Sequence, residues 1–351
     1  MTTKALKAAT QIAIGVETTP GTSVARTRRL LTRSATFRII DEQEAFEGHM
    51  HGTLARALLD PLTVRTGTEL ELPLDVDFEN ILLPLLAGVK GDVTPTTPGT
   101  GEARLWTFTP SPTVVVAPKT YSLEWVESDF AAAPTNLARL AAYGFCTEFE
   151  LSGAINVAPT MTLRMVARKS AASTKTTIAL PTLTRAPSAR WNLFLDTTWA
   201  GLGTTQKTGQ VYGFTYKFGP YIFPQFYLDG RADADFVQHE FGPRVADLTL
   251  DVAIDTQAGS LPAAEMTAKD AKTKRFVELR LDGAAFVTPD TALARFIKLQ
   301  GAYHHAADSL QDRGSDRDGN LVVRMHLQSV YDATGAADVR FIIQNNLATY
   351  G

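Results

Sequence analysis

Histidine and cysteine are the side chains that most readily supply nucleophiles, proton relays and metal ligands near neutral pH. This chain has six histidines, His49, His51, His239, His304, His305 and His326, and one cysteine, Cys146. On a strand His49 and His51 would share a face, a chelating geometry, whereas His304 and His305 would point to opposite faces. Neither pair has acidic neighbours at the spacing of a tetrahedral zinc site or a facial triad. A single cysteine excludes an intramolecular disulfide framework, and Cys146 sits in an apolar run with no base beside it, as a small core residue would. Asp312, Asp316 and Asp318 with Gly319 and Asn320 have the composition of a calcium loop but lack its register and its closing glutamate. Gly201-Leu202-Gly203 lacks the third glycine and the strand–helix context of a phosphate-cradling loop. Trp106, Trp191 and Trp199 would make a sugar platform if exposed, and core packing is the competing reading. The expectation is a protein that is not an enzyme and that holds no cofactor and no metal.

The informative charges are acidic and periodic. Glu69, Glu71, Asp75, Asp77 and Glu79 occupy odd positions, and Leu70, Leu72, Leu74, Val76 and Phe78 the even ones. On a strand the odd side chains share one face and the even ones the other. A second segment repeats the pattern, with Asp247, Asp251 and Asp255 set against Leu248, Leu250, Val252 and Ile254. Each strand is expected to be apolar behind and acidic in front, with all of the acids in water, because a register slip of one residue would bury every carboxylate.

These strands need a scaffold, and the composition allows one. The chain has 351 residues, 44 % hydrophobic and 20 % charged, with a formal net charge of −3. That is a globular composition of about two domains, without a global basic footprint for nucleic acid. No apolar run is long enough for a membrane helix, so no membrane anchor is expected. The first fifteen residues carry no signal-peptide core, so synthesis in a cytoplasm is expected. Alternating, β-branched and aromatic runs predict strands over 36–40, 69–78, 105–109, 113–117, 121–127, 141–151 and 160–167 in the first half. In the second half they predict 191–196, 210–218, 221–228, 245–255, 275–281, 295–301, 321–330 and 338–343. Helices are predicted at Glu79–Val89, with Pro84 inside it, and at Pro262–Lys272.

The chain also reads as duplicated. Lys119–Ser128 resembles Lys274–Gly283, Leu137–Leu140 resembles Leu293–Phe296, and Leu163-Arg164-Met165 resembles Val323-Arg324-Met325. Leu74-Asp75-Val76 recurs as Leu250-Asp251-Val252 at a larger offset, which implies an insertion of about twenty residues in the first copy, where the loop 90–101 lies. The expected fold is mainly β: two similar β-sandwich or barrel domains, each with at most one short helix, behind an extended N-terminal arm. The boundaries are 1–33 for the arm, 34–169 for the first domain, 170–187 for a polar linker and 188–351 for the second domain. Arg26, Arg28, Arg29 and Arg33 make the arm a candidate for contacts with acidic patches on a neighbouring subunit.

The opening phrase Gly15-Val16-Glu17-Thr18-Thr19-Pro20-Gly21-Thr22 resembles the start of the tail tube proteins of long-tailed bacteriophages, where a G-x-E-T-x-x-G-T phrase precedes the first β elements. The order of arm, strand, acidic strand and helix is similar as well. The resemblance implies a structural virion protein, made in the host cytoplasm and assembled into a viral tail. Three two-domain subunits would form a pseudo-sixfold ring, and stacked rings a tube. The implied partners are other copies of the chain, the tape measure protein in the lumen, tail terminator and tail tip proteins, and double-stranded DNA in passage without specific binding. The acids Glu69, Glu71, Asp75, Asp77, Asp247, Asp251 and Asp255 would then line the lumen, where they would repel phosphate and let the genome slide. The alternative is another β-rich virion or surface protein, such as a capsid decoration, an adhesion protein or a carbohydrate-binding module.

Overall fold

The computed structural model describes residues 10–44, 62–128, 136–185, 187–228, 233–254, 261–311, 313–317 and 320–351, with the backbone alone at 313–317 and 320. The expectations placed on His49, His51, Asp255, Asp312 and Asp318, and on the side chain of Asp316, lie outside the described residues. The fold is mainly β, built of large antiparallel sheets with two short α-helices among the described residues.

The first half contains β1 (Gln11–Val16), β2 (Arg28–Leu30), β3 (Thr36–Glu44), β4 (Leu62–Asp75), α1 (Leu82–Gly88), β5 (Arg104–Phe108), β6 (Tyr121–Ser128), β7 (Asn136–Ala154), β8 (Thr160–Ala167) and β9 (Ala171–Ser173). The second half contains β10 (Trp191–Asp196), β11 (Gln206–Lys207), β12 (Val211–Phe218), β13 (Ile222–Gln225), β14 (Gln238–Phe241), β15 (Ala246–Ala253), α2 (Leu261–Asp270), β16 (Arg275–Ala285), β17 (Ala294–His305), β18 (Arg313–Arg317), β19 (Asn320–Ser329) and β20 (Val339–Asn345). The expected strand at 113–117 is irregular chain.

The halves repeat one pairing scheme. In the first, β1 pairs with β6, β6 with β7, β7 with β8, β8 with β4 and β4 with β3. In the second, β10 pairs with β16, β16 with β17, β17 with β19, β19 with β15 and β15 with β12. All four segment pairs that suggested duplication fall on equivalent strands. One is displaced in register. Arg164 faces Glu71 across β8–β4, and Arg324 faces Asp251 across β19–β15, so the counterpart of Asp251 is Glu71 rather than Asp75.

Each half folds into two layers because β7 and β17 are long enough to serve both. β7 pairs with β6 through residues 136–144 and with β8 through residues 145–152. The turn between the two duties is at Tyr143, whose φ is +61°. Gly144 follows because a Cβ there would lie 2.8 Å from both Leu123 and the carbonyl of Tyr121. Glu17 secures this corner. Its carboxylate accepts the Tyr143 N–H at 2.8 Å, the Ser122 hydroxyl at 3.0 Å and the Gly21 N–H at 2.8 Å. The three-residue framework of the opening phrase thus has a folding reason. Gly15 passes close to the Ala25 carbonyl, Glu17 holds the corner, and Gly21 has φ +82° against the Arg168 guanidinium.

The expected N-terminal arm is corrected by this arrangement. β1 is a buried strand hydrogen-bonded to β6 along its whole length and to β2 on its other side. The apolar sequence Ile12-Ala13-Ile14 inside a polar stretch was too short to outweigh its flanks in a composition argument. The segment expected as a linker is likewise bonded into the first half. β9 pairs with β7, Thr176 donates to Glu124, the Thr184 N–H donates to Glu79, and the backbone of Arg185 forms an isolated antiparallel β-bridge with that of Asp77.

The halves share one apolar core. Phe149 of β7 stacks on Phe218 of β12 at 5.4 Å and meets Phe341 of β20 at 6.1 Å, with Tyr216 beside them. The halves also exchange segments. β5, inside the insertion of the first half, pairs with β20, and the Trp106 indole donates to Leu347 O at 3.1 Å. In return Tyr350 is buried in the first half and donates to Asn80 Oδ1 at 3.1 Å.

Candidate functional site: the open face of the continuous sheet

One sheet surface runs through both halves in the order β3-β4-β8-β7-β12-β15-β19. Its back is the core. Leu70, Leu72, Leu74, Leu163, Met165, Leu248, Leu250, Val252 and Met325 are at most 2 % exposed. Burying each such side chain stabilises the fold by about 1.5–3 kcal/mol, so the face opposite them is fixed by periodicity.

That open face is where the structure places Glu69, Glu71, Asp75, Asp247 and Asp251. It does not place Asp77 there. Asp77 is wholly buried at the turn before α1, where its Oδ1 accepts the Glu79 N–H at 2.9 Å and the Asn80 N–H, and its Oδ2 accepts the Asn80 amide at 2.9 Å. Burial, with the Glu79 carboxylate adding to it, pushes Asp77 up to about 7 against these hydrogen bonds. The strand ends at Asp75, so odd–even alternation no longer governs positions 77 and 79, and both acids turn inward as turn-forming groups.

The remaining acids do not form a bare acidic surface, because neighbouring strands bring cations to them. Arg164 reaches Glu148 at 2.5 Å, Lys217 approaches Glu148 at 3.5 Å, Arg38 lies 3.6 Å from Glu69 and Arg324 3.6 Å from Asp251. Asp75 holds Arg33 at 2.5 Å and Arg185 at 3.1 Å, and His326 lies 3.7 Å from Asp247 and 2.9 Å from Asp308. Glu71 and Glu150 make no ion pair among the described residues. Between the charged rows, Thr160, Ser152, Thr215 and Thr249 form a hydroxyl band that crosses the junction of the halves, in a groove of about 450 Å³.

Three of the four arginines expected on an inter-ring arm are spent within the chain. Arg26 pairs with the buried Glu124, Arg33 holds Asp75, and Arg28 donates to Asn80 at 3.2 Å while lying 4.4 Å from the centre of the Tyr350 ring. Arg28 and Arg29 make no ion pair among the described residues.

Sequence reasoning missed one constellation with the order of a catalytic relay. The Ser309 hydroxyl lies 3.0 Å from His305 Nδ1, and His305 Nε2 lies 3.1 Å from Glu265 Oε2. The line is sealed. Ser309 is wholly buried, its Oγ takes the His326 N–H at 3.0 Å, and Arg275 grips Glu265 with two hydrogen bonds of 2.7 and 2.9 Å. A nucleophile must meet its substrate, and these groups instead pin α2 to β16 and β17. The signal in the sequence was Glu265, an acid on the buried face of an alanine-rich helix.

Among the described residues no group of three or more His, Cys, Asp or Glu side chains is placed to hold a metal ion. Cys146 is wholly buried, and burial pushes its thiol well above the usual range. Of the three tryptophans of the sugar-platform alternative, one is buried and two are half-buried. Trp106 is 1 % exposed, Trp191 packs edge-on against Phe214 at 4.8 Å, and Trp199 is covered by Phe276 and Arg340. Compared with known proteins, the chain matches no family model and no curated sequence.

Proposed function

We propose that the protein is a non-enzymatic structural subunit of a bacteriophage tail tube, in which three copies close a ring of six similar units and rings stack into a conduit. The observation that carries this reading is the junction of the halves. β7, the last strand of the first four-stranded unit, pairs edge to edge with β12, the first strand of the second. The counterpart of β12 is β3, and the place that residues 148–152 of β7 take beside β8 is taken in the second half by β18, which follows the end of β17 beside β19; both lie at the ends of the chain's sheet. Among the described residues β3 pairs with β4 alone and β18 with β19 alone. Open edges of this kind invite pairing with another chain, and two complementary ends on one subunit generate a heterologous, ring-closing contact. Closure at three subunits would remove both edges. The open face would then line the channel, in contact first with a tape measure protein and then with the genome, in a virion tail that needs no membrane anchor.

Transferring the β7–β12 register to the open edges sets Ile40 of one copy opposite Ser315 of a second copy. This follows because Lys217 pairs with Glu150 at the internal junction and occupies the place of Ile40, as Glu150 occupies that of Ser315. The test is a chain carrying Ile40→Cys and Ser315→Cys, assembled, oxidised and run on a denaturing gel; Cys146 is buried and does not compete. Crosslinked dimers and closed trimers are expected. Rings that assemble without crosslinks would refute the seam, and a six-subunit ring by mass would refute the pseudo-sixfold arrangement. Failure to form rings at any concentration would remove the tube reading altogether.

A further inference from the structure

At one end of the second half the two layers stand apart. Between β10 on one layer and the β7–β12 junction on the other opens a groove of about 350 Å³. Its floor is the end of the apolar core: Leu193, Leu279 and Phe214 are at most 8 % exposed. The half-buried Trp191 forms one wall, its ring edge-on to Phe214 at 4.8 Å. Two glycines keep the opposite wall low. A Cβ at Gly153 would lie 2.5 Å from the Phe214 ring, and one at Gly213 would lie 3.2 Å from the Gly153 carbonyl. At the rim Gly209 turns with φ +69°, and nothing lies within 4 Å of the place its Cβ would take.

The polar groups on this groove are donors left without acceptors. Among the described residues Trp191 Nε1 and Ser188 Oγ have no hydrogen-bond partner, although Ser188 is only 9 % exposed. Lys207 carries the one charge of the described lining and makes no ion pair among the described residues. The amides beside it are spent. Gln206 donates to Asn192 at 2.8 Å, and Asn192 donates to Asp282 at 2.9 Å, which Arg280 also holds at 2.6 Å. A buried indole N–H ordinarily has an acceptor, and leaving it without one is costly.

We infer that this groove is a binding site for a small aromatic carboxylate. The apolar ring of the ligand covers Leu193 and Leu279 against the Trp191 indole. The carboxylate stays towards the mouth, where it accepts from the Trp191 N–H and the Ser188 hydroxyl and pairs with the Lys207 ammonium. An ionised carboxylate has acceptors only, which is the complement of this donor set, and hydrogen bonds to it are charge-assisted. An inorganic anion would leave the apolar floor bare, and an uncharged aromatic would leave Lys207 unanswered. The volume is at the small end of the range of about 300–1,000 Å³ for ligand pockets, which suits a compact ring system rather than a long acyl chain. The site lies within one chain, so it stands apart from the tube reading.

The probe is naphthoate, with naphthamide as its uncharged counterpart. Each is titrated into the full-length chain carrying isotopically labelled tryptophan, and the indole N–H resonances of its four tryptophans are followed. Trp191→Phe identifies the resonance of Trp191. Naphthoate is expected to shift that resonance saturably, with a Kd of about 1 mM or tighter, and to leave those of Trp106, Trp125 and Trp199 in place. Naphthamide should bind about tenfold more weakly. Lys207→Gln should remove that preference by weakening naphthoate while leaving naphthamide as it was. Lys207 is half-exposed, so its replacement leaves the core intact and carries the result even if Trp191→Phe melts abnormally. An unmoved Trp191 resonance at millimolar naphthoate, equal affinity for the two probes, or full naphthoate affinity in Lys207→Gln would each overturn the inference. Ring assembly is read without either probe, so the two readings can fail separately.

Discussion

The two helices occupy the same place in the two halves and are held there by opposite means. α1 is buried along its entire length, Pro84 included, and every residue from Leu82 to Ala87 is wholly buried. Its covering comes from the first half's own insertion and from the second half's C-terminal segment: the Lys119 N–H donates to Leu86 O, and Tyr350 seats beside Asn80. α2 is covered on one side only, leaving Met266 and Asp270 exposed, and its inner face is fixed by the Glu265–Arg275–His305 network. The comparison teaches that one topology tolerates either an apolar or an ionic helix seat. Which one forms depends on whether a neighbouring segment is at hand to complete the cover.

The largest expected effect breaks the ionic seat. Glu265→Ala leaves Arg275 and His305 without their carboxylate inside the protein, and should cost about 3–5 kcal/mol in chemical denaturation. A loss below about 1 kcal/mol would mean that α2 is held by its apolar residues after all. The matching change in the first half is Leu85→Ala in α1, expected to cost about 2–5 kcal/mol as a transfer and cavity loss. On the exposed side of α2, Asp270→Ala should stay within about 0.5 kcal/mol, which makes it the control for helix propensity.

A smaller effect sharpens the comparison through pH. Asp77 at the start of α1 has a folded pKa raised to about 7 from 3.8. Between those values the native state binds the proton and the unfolded state does not, so this group's contribution to stability falls as pH rises from about 4 to 7. Asp77→Asn keeps an acceptor for the two backbone N–H groups and removes the titration. The variant should lose roughly 1–4 kcal/mol of pH dependence across that window, measured as the melting midpoint at both ends. Equal pH profiles for variant and wild type would show that Asp77 does not titrate there.

The smallest expected effect concerns the strap between the halves. Asp290 accepts the N–H groups of Thr100 and Gly101 at 3.1 Å and of Ala103 at 2.9 Å, joining the insertion of the first half to a loop of the second. Those N–H groups, Ala103 first, hold its carboxyl below the usual range. Its stabilising contribution is therefore present above the unfolded value of 3.8 and is lost as pH falls through the folded one. Asp290→Asn should loosen the strap at neutral pH, seen as faster amide exchange at Thr100–Ala103, and should change nothing at low pH. Equal exchange in variant and wild type at neutral pH would remove its role as a clamp.

Much of the scaffold was legible along the chain. Period-two patterning gave β4 and β15 their buried faces, leucine clustering gave α1, and short repeats gave the duplication. The opening phrase was legible as a motif, but its reason, Glu17 clasping the corner of β7, was not. β1 was hidden because three apolar residues carry little periodic signal on their own. They become a strand when β6 offers a full row of hydrogen-bond partners. The seat of Glu265 was hidden because its partners, Arg275 and His305, lie on strands ten and forty residues away.

The sequence by itself determined which side chains share a face, because alternation along a strand is a local property of the backbone. It therefore placed Glu69, Glu71 and Asp75 on one face of their strand and Asp247 and Asp251 on one face of theirs, and it failed at Asp77, where the strand has ended. What the open surface presents was decided by the tertiary structure. Arg164 and Arg324 come from strands far along the chain, and only the pairing of β8 with β4 and β7, and of β19 with β15, sets them beside the acids. A charge pattern along one strand records its own sign; the sign of a sheet depends on its neighbours, and neighbours are chosen by the fold.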